Sequence, residues 1–562
     1  MWAHRGFGYI GTFNVPCGTG ENFVEGVGPV DLVDGVEQPG VAVFNVRNPR
    51  KPRYVGNLPS VEGSRSNDVK VDRLGRRDIL VHSNEACTGG PGGPGGIEIY
   101  DVTNPRRPVH QASIRIDELN PITDELFGGI TDVGVHNMFL FEQGRRSFVS
   151  VVSEGVFDNF MTFDITDPTS PELVSAWGAE ELFDPGVGDE TEDVDRVLAA
   201  ANWLLDGFGT SRNRFLHDIT YDLKGKTAYL SNWDAGLVRM DMSDPANPQV
   251  VSVALDPENG SLDGEVNSHA AWPSENGRIV VETEEDFDHI RLAVAVSDGP
   301  LAGEEFGAFE DVAGPPPPRL ADVGVIEAEA VWVGQLCDVD PVENAGAFDP
   351  GDIAVIRRGA CAFSEKLLNA QDLGASAALI ANNLPGQPGL ANGTFGGLGD
   401  IPGLFISTEA GDQFEANPTG NTVVLDPEAI TFDPWGGVRV WDYSDPANPV
   451  LASTFNTFCS ADTTGDPACD PEGTYSVHNV IVESKGRRTL AYFSWYWDGM
   501  LVLDVTDPAN PVEVARFFDN SPEFIEENGG NPHDFWGVYK IRNRPTIYGS
   551  DRNGGLYTFK LK

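Results

Sequence analysis

Six of the nine histidines stand at one recurring place in the chain. His4, His136, His217, His269, His478 and His533 fall in WAHRGFGYI, VHNMFLF, LHDITYD, SHAAWP, VHNVIV and PHDFWGVYKI, and Asn67 takes the same place in SNDVKV. Each of five of them is followed, one strand later, by a carboxylate: Glu154 after His136, Asp234 after His217, Glu284 after His269, Asp498 after His478 and Asp551 after His533. Asn67 is followed by Glu85, and His4 has no acid. Neutral imidazole and carboxylate together ligate zinc or copper, and a carboxylate also orients a ligating imidazole. The same pair can instead tie one repeat to the next by hydrogen bonds, and a His–carboxylate dyad can move protons. All three chemistries stay open. A second acidic group, Asp462, Asp466 and Asp470 in CSADTTGDPACDPEG, offers oxygen ligands of the kind calcium takes.

Something must place these histidines together, and the repeats do so. VFNVRNPRKP, IYDVTNPRRP, TFDITDPTSP, RMDMSDPANP, VWDYSDPANP and VLDVTDPANP each put an Asx-Pro turn after a short apolar run, starting at Asn48, Asn104, Asp167, Asp244, Asp445 and Asp507. Asx side chains bond their own backbone two residues on and Pro presets φ, so each is a tight turn. Between histidine and turn lies a strand bounded by a Gly- or Arg-containing turn, as in DLKGKT and ESKGRRT. Each unit therefore reads as strand A, turn, strand B, loop, strand C, Asx-Pro turn, strand D. Seven such four-stranded antiparallel units predict an all-β seven-bladed propeller, which limits exposed edges by radial repetition. The seventh unit stops after strand C at GLYTFKL, so the expectation is a completing strand upstream of Met1.

The six Asx-Pro turns in register resemble the LVIVD-repeat family, and that resemblance implies a propeller on a secreted or surface protein without specifying chemistry. Blade logic is more distantly similar to that of the selenium-binding protein and methanethiol oxidase family, where such a resemblance implies propeller-face histidines that hold copper.

One unit is too long. His217 to Asp244 spans 27 residues and His478 to Asp507 spans 29, but His269 to Asp445 spans 176. The excess lies in the B-to-C loop of blade 5, which divides the chain into 1–289, an insertion at 290–435, and 436–562. Inside it, GDIAVIRRGACAFSEKLLNAQDLGASAALIANN resembles the protease-associated (PA) domain signature through Arg358, Gly359, Cys361, Phe363, Lys366, Gly374 and Ala375. The resemblance implies a small non-catalytic α/β module that helps to bind a protein or peptide, with Cys337 as the partner of Cys361. Phe363, Leu367, Ala370 and Leu373 recur at helical spacing, and Gly374 reads as a C-cap.

The repeat register also sorts the loops. D-to-A and B-to-C connections share one face, which carries every long segment, including 179–215 with its DETEDVDRVLAAANWLL helix and the insertion. Adjacent-blade position pairs Cys17 with Cys87, and Cys459 pairs with Cys469 across one loop. Three disulfides fit an oxidising compartment. The A-to-B turns of the other face are rich in Arg and Lys, as at Arg73, Arg76, Arg77, Arg487 and Arg488. A net charge of −48 excludes nucleic acid and anionic lipid as partners. No apolar run is long enough to span a bilayer, and Met1-Trp2-Ala3-His4-Arg5 is not a signal peptide, so a secreted protein has its targeting segment outside this chain. With no HExxH or GxSxG motif, the first expectation is an extracellular or cell-surface binding module for a protein, a peptide or a surface component. A divalent-metal enzyme built on the histidines and a surface-layer structural role are the alternatives.

Overall fold

A computed structural model describes residues 1–12, 40–61, 63–86, 95–116, 134–153, 159–178, 216–233, 236–254, 267–286, 289–310, 317–383, 395, 398–432, 434–470 and 473–561. Cys17, Cys87, Glu154, Asp234 and the 179–215 segment lie outside them.

The chain forms seven antiparallel blades. Blade 3 shows the pattern: Val135–Gln143, Arg146–Ser153, Phe160–Asp164 and Glu172–Trp177 pair in that order, from strand A at the axis to strand D at the rim. Blade 5 pairs Ser268–Pro273 and Ile279–Glu284 with Val438–Asp442 and Val450–Phe455, although about 150 residues separate its second strand from its third. The seventh blade has three strands among the described residues, Phe535–Lys540, Thr546–Asp551 and Gly555–Lys560. Strand B is covered on both faces: from Ser147 to Ser153 every residue is buried, because blades stack like pages and each inner strand is sandwiched. The core is accordingly a series of interblade layers, such as Val281, Val438 and Val440 of blade 5 against Val480, Val482, Phe493 and Trp495 of blade 6.

All six Asx-Pro turns form as their sequences require. The backbone N–H groups of Arg50, Arg106, Thr169, Ala246, Ala447 and Ala509 donate to Oδ1 of Asn48, Asn104, Asp167, Asp244, Asp445 and Asp507 at 3.1–3.3 Å. The turns also do something that their sequence does not announce. Ser175, Ser252 and Ser453 donate their hydroxyls to the carbonyls of Pro245, Pro446 and Pro508 in the next blade, at 2.6–2.8 Å. Thr558 does the same to Pro49 at 2.6 Å, so blade 7 latches to blade 1.

The inserted unit is a closed seven-stranded barrel, in the order Ile290–Asp298, Glu305–Glu310, Gly403–Ile406, Ala377–Ala381, Ile353–Arg357, Ile326–Trp332, Asn421–Phe432. Four neighbouring strands within it run parallel; helix Phe363–Leu373 supplies the crossover from Ile353–Arg357 to Ala377–Ala381, and helix Thr408–Ala416 links Gly403–Ile406 to the antiparallel strand Asn421–Phe432. The expected α/β module thus takes the form of a barrel with its own core, Val294, Trp332, Val355, Leu379, Ile406 and Phe414 among its members. Gly374 caps its helix in the left-handed region at φ 88°. Arg358 and Lys366 are buried and serve the fold: Arg358 donates to Asn382 at 3.0 Å, and Lys366 Nζ donates to the Gln335 carbonyl beside the Cys337–Cys361 disulfide. At the neck His289 stacks on Trp435 at 3.9 Å, and the loop closed by Cys459–Cys469 packs there against Trp435 and Tyr475. No helix among the described residues is long and apolar enough to cross a membrane.

A histidine ladder at the propeller axis

Strand A of each blade begins at the axis, and in blades 3, 5 and 7 a β-bulge at that point turns one side chain inward. The register slips between Val135 and Met138, between Ser268 and Ala270, and between Phe535 and Gly537. The residues in these bulges are His136, His269 and Trp536. With His217 and His478 they form a curved ladder across five blades. Ring centroids lie 4.4 Å apart for His136–His217, 3.9 Å for His217–His269, 4.4 Å for His269–His478 and 4.5 Å for His478–Trp536.

The ladder is also a seam between blades. The carbonyl of each of its residues accepts from a side chain of the preceding blade: His136 from Asn67, His217 from Asn137, His269 from His217, His478 from Thr283 and Trp536 from Ser494, at 2.6–3.1 Å. Because His217 Nδ1 faces a carbonyl, it must carry the proton, and Nε2 then carries the lone pair.

The carboxylates depart from the expected pairing. His533 does hold its own Asp551, at 2.9 Å, but it lies off the ladder, stacked 4.0 Å from Phe524. Trp536, three residues on, occupies the bulge instead, so the repeat pattern was out of step in blade 7. Glu284 does not meet His269; strand alternation points it with Glu282 into the blade, where it pairs with buried Arg439 at 2.9 Å. Its neighbour Glu285 faces the axis and lies 3.2 Å from His269 Nε2 and 3.6 Å from His478 Nε2. Asp498 does not meet His478 and instead accepts from Thr457 and pairs with Arg516 at 2.8 Å. Glu85 reaches forward one blade to His136 Nδ1, and His4 pairs with Asp78 at 3.2 Å. Of the three acids offered for calcium, Asp462 accepts from the Thr464 and Asp466 backbone N–H groups and Asp466 from that of Ala468, and they are not among the groups of the described residues whose ligand atoms lie within 4.8 Å of one another.

Three further residues at this site, Tyr496, Arg552 and Trp233, escaped the pattern. Tyr496 donates to Glu285, and Arg552, paired with Asp534 at 2.6 Å, lies 4.8 Å above the rings of both Tyr496 and Trp536. Trp233 lies beside His217 at 5.6 Å. The aromatic runs SWYWD and PHDFW were the available signal. Trp233 (φ 28°) and Asn267 (φ 39°) hold left-handed backbone that non-glycine residues avoid, a cost tolerated chiefly where geometry matters.

Burial sets the electrostatics. It drives His217, His269 and His478 well below the ordinary imidazole range, so they are neutral in the folded chain. It also raises Glu285 to about 7, against the opposing hydrogen bond from Tyr496. Candidate ligand atoms of His217, His269 and Glu285, all buried, lie within 4.8 Å of one another. Neither ring nitrogen of His269 makes a hydrogen bond of good geometry. A buried polar atom in that state calls for a partner. The other converging group, Cys337, Cys361 and Glu365, has its sulfurs committed to a disulfide.

Comparison with known families matches a PA domain at residues 326–414 and LVIVD repeats at residues 222–255 and 490–519. Among solved structures the chain is similar to a zinc aminopeptidase from Bacillus subtilis, at 20% identity over 29% of this chain and 36% of that one, with TM-score 0.19. It is similar to an aminopeptidase from Aneurinibacillus sp. strain AM-1, at 22% identity over 29% and 38%, TM-score 0.19. The chain thus spans little more than a third of the length of either aminopeptidase. It is similar too to the Cps50 (Swd1) β-propeller domain of Myceliophteria thermophila, at 9% identity over 93% and 90%, TM-score 0.39. No curated protein matches.

Proposed function

We propose that this chain, a seven-bladed propeller with LVIVD repeats and a PA domain spliced into its fifth blade, acts outside the cell as a module that binds a protein or peptide, with the PA domain contributing to recognition. The observation that carries this reading is the construction of the insertion: a closed barrel with a core of its own, tethered through one loop to a rigid ring. Loops and insertions on a fixed scaffold are where recognition concentrates. The Cys337–Cys361 and Cys459–Cys469 disulfides are compatible with an oxidising exterior. We take 290–435 as the separable unit. Removing it and joining 289 to 436 through a short linker is expected to leave a folded propeller with unchanged β-sheet circular dichroism. Peptides selected from a displayed library by the intact protein are then expected to be lost by the shortened one. Equal capture by both proteins sinks the role of the PA domain, and failure of the shortened chain to fold sinks the boundary.

A second reading, favoured by the convergence of His217, His269 and Glu285, is a divalent transition-metal centre of zinc or copper at the axis. Two neutral imidazoles and one carboxylate are a donor set that both ions accept, and a metal would act there as a Lewis acid or redox centre. Elemental analysis of chelator-stripped and reloaded protein is expected to find about one ion per chain. His269→Ala should abolish that stoichiometry and His533→Phe should keep it; retention by both variants removes the site from the axis.

A further inference from the structure

The end of the axis opposite the histidines holds a cavity of ≈ 320 Å³ to which all seven blades contribute. That volume is at the lower end for small-molecule pockets. The residues that wall it sit on the strands that carry the ladder, three or four positions further along: Phe139 after His136, Tyr221 after His217, Trp272 after His269 and Tyr539 after Trp536. Trp2 of blade 1 completes the wall, 4.3 Å from Tyr539 and 6.2 Å from Phe139, and Trp272 lies 6.0 Å from Phe139. Trp2, Phe139, Trp272 and Tyr539 are only partly buried and keep ring surface toward the space.

The edge of the cavity is acidic. Asp72, Glu142, Asp222, Glu275 and Glu483 line it, against Lys540 and Arg542. Glu275 and Glu483 are paired with those two cations, at 3.0 and 3.1 Å. Glu142, Asp222 and Asp72 are held instead by the backbone N–H groups of Gly75, Lys226 and Arg73, so their charge is not cancelled by a partner cation. One wall residue already receives a cation from inside the protein: Lys70 Nζ lies 5.3 Å from the centroid of Trp2. Aromatic faces attract cations through their quadrupole, most strongly where water is excluded, and nearby carboxylates add Coulomb attraction.

We propose that this cavity binds a small organic cation of the alkylammonium class, its methyl or methylene groups against Trp2, Phe139, Trp272 and Tyr539 and its charge toward Asp72. Aromatic walls reward an apolar periphery, and the acidic edge selects against anions. The test is calorimetric titration of the whole chain with choline and, in parallel, with 3,3-dimethylbutan-1-ol, its uncharged equivalent of the same shape. Choline is expected to bind one site per chain, at least roughly tenfold more tightly than the alcohol, with quenching of tryptophan fluorescence. Trp272→Leu should weaken choline binding about tenfold and leave the alcohol nearly unchanged. Asp72→Asn, at an exposed side chain whose bond from the Arg73 backbone N–H an amide oxygen can also accept, should weaken choline several-fold and leave circular dichroism unaltered. Equal affinity for choline and the alcohol, insensitivity to both substitutions, or no saturable binding of either probe each overturns the proposal.

Discussion

Arg439→Met is expected to destabilise the propeller by about 3–5 kcal/mol, the range typical of breaking a buried ion pair from one side. Arg439 and Glu284 are almost wholly buried, 2.9 Å apart, on the two strands that flank the insertion. Methionine fills much of the volume but leaves the Glu284 carboxylate in the interior without its guanidinium. Replacing both members, Arg439→Met with Glu284→Gln, should recover most of the loss, because no buried charge is then stranded. Urea unfolding followed by far-ultraviolet circular dichroism checks both variants. A single variant within about 1 kcal/mol of wild type would mean that water or other groups reach Glu284.

The ladder predicts opposite pH signatures for two adjacent side chains, best read on chelator-treated protein. His269 is held below its ordinary value by burial, so below about 6.5 the unfolded chain takes up a proton that the folded chain refuses. Its contribution to stability is therefore complete above that pH and is lost on acidification, at about 1.4 kcal/mol per pH unit. Glu285 has the reverse sign. Raised by burial to about 7, it binds a proton more readily folded than unfolded, so its contribution is complete below about 4.5 and is lost as pH rises to 7. Between pH 5 and 7 the stability difference between wild type and His269→Gln should move in wild type's favour as pH rises. The difference from Glu285→Gln should move against wild type over the same range, by roughly 1 kcal/mol or more for each pH unit. Parallel trends for the two variants would contradict the burial assigned to one of them.

The propeller was readable because its signals are local. An Asx-Pro turn is specified by two adjacent residues, and six copies, each after a short apolar run, leave little freedom in how strands pair. The PA insertion was readable because it stretched the distance from histidine to turn to 176 residues, against 27 and 29 in blades 4 and 6. The site was legible only in outline. A histidine before strand A marks the axis, but which residue faces inward depends on a bulge, and a bulge of one residue reverses the alternation from which side-chain direction is read. Hence the structure brings His136, His217, His269 and His478 side by side as the spacing suggested, while Trp536 takes the place expected of His533 and Glu285 that expected of Glu284. Tyr496 and Arg552 each stand directly after strand B of their blade, where no spacing rule pointed to the axis.

The rim latches bear on how such a ring can arise. Their acceptors are the carbonyls of Pro49, Pro245, Pro446 and Pro508, main-chain atoms that exist whatever side chains surround them. A duplicated blade therefore arrives with its acceptor already in place and needs from its neighbour only one Ser or Thr hydroxyl on an outer strand. The contact is indifferent to drift elsewhere in the turn, and NPRKP and DPANP differ in charge and size while keeping the same acceptor. Growth by copying, followed by specialisation at the hub, requires a joint of this kind: common at the circumference, individual at the centre.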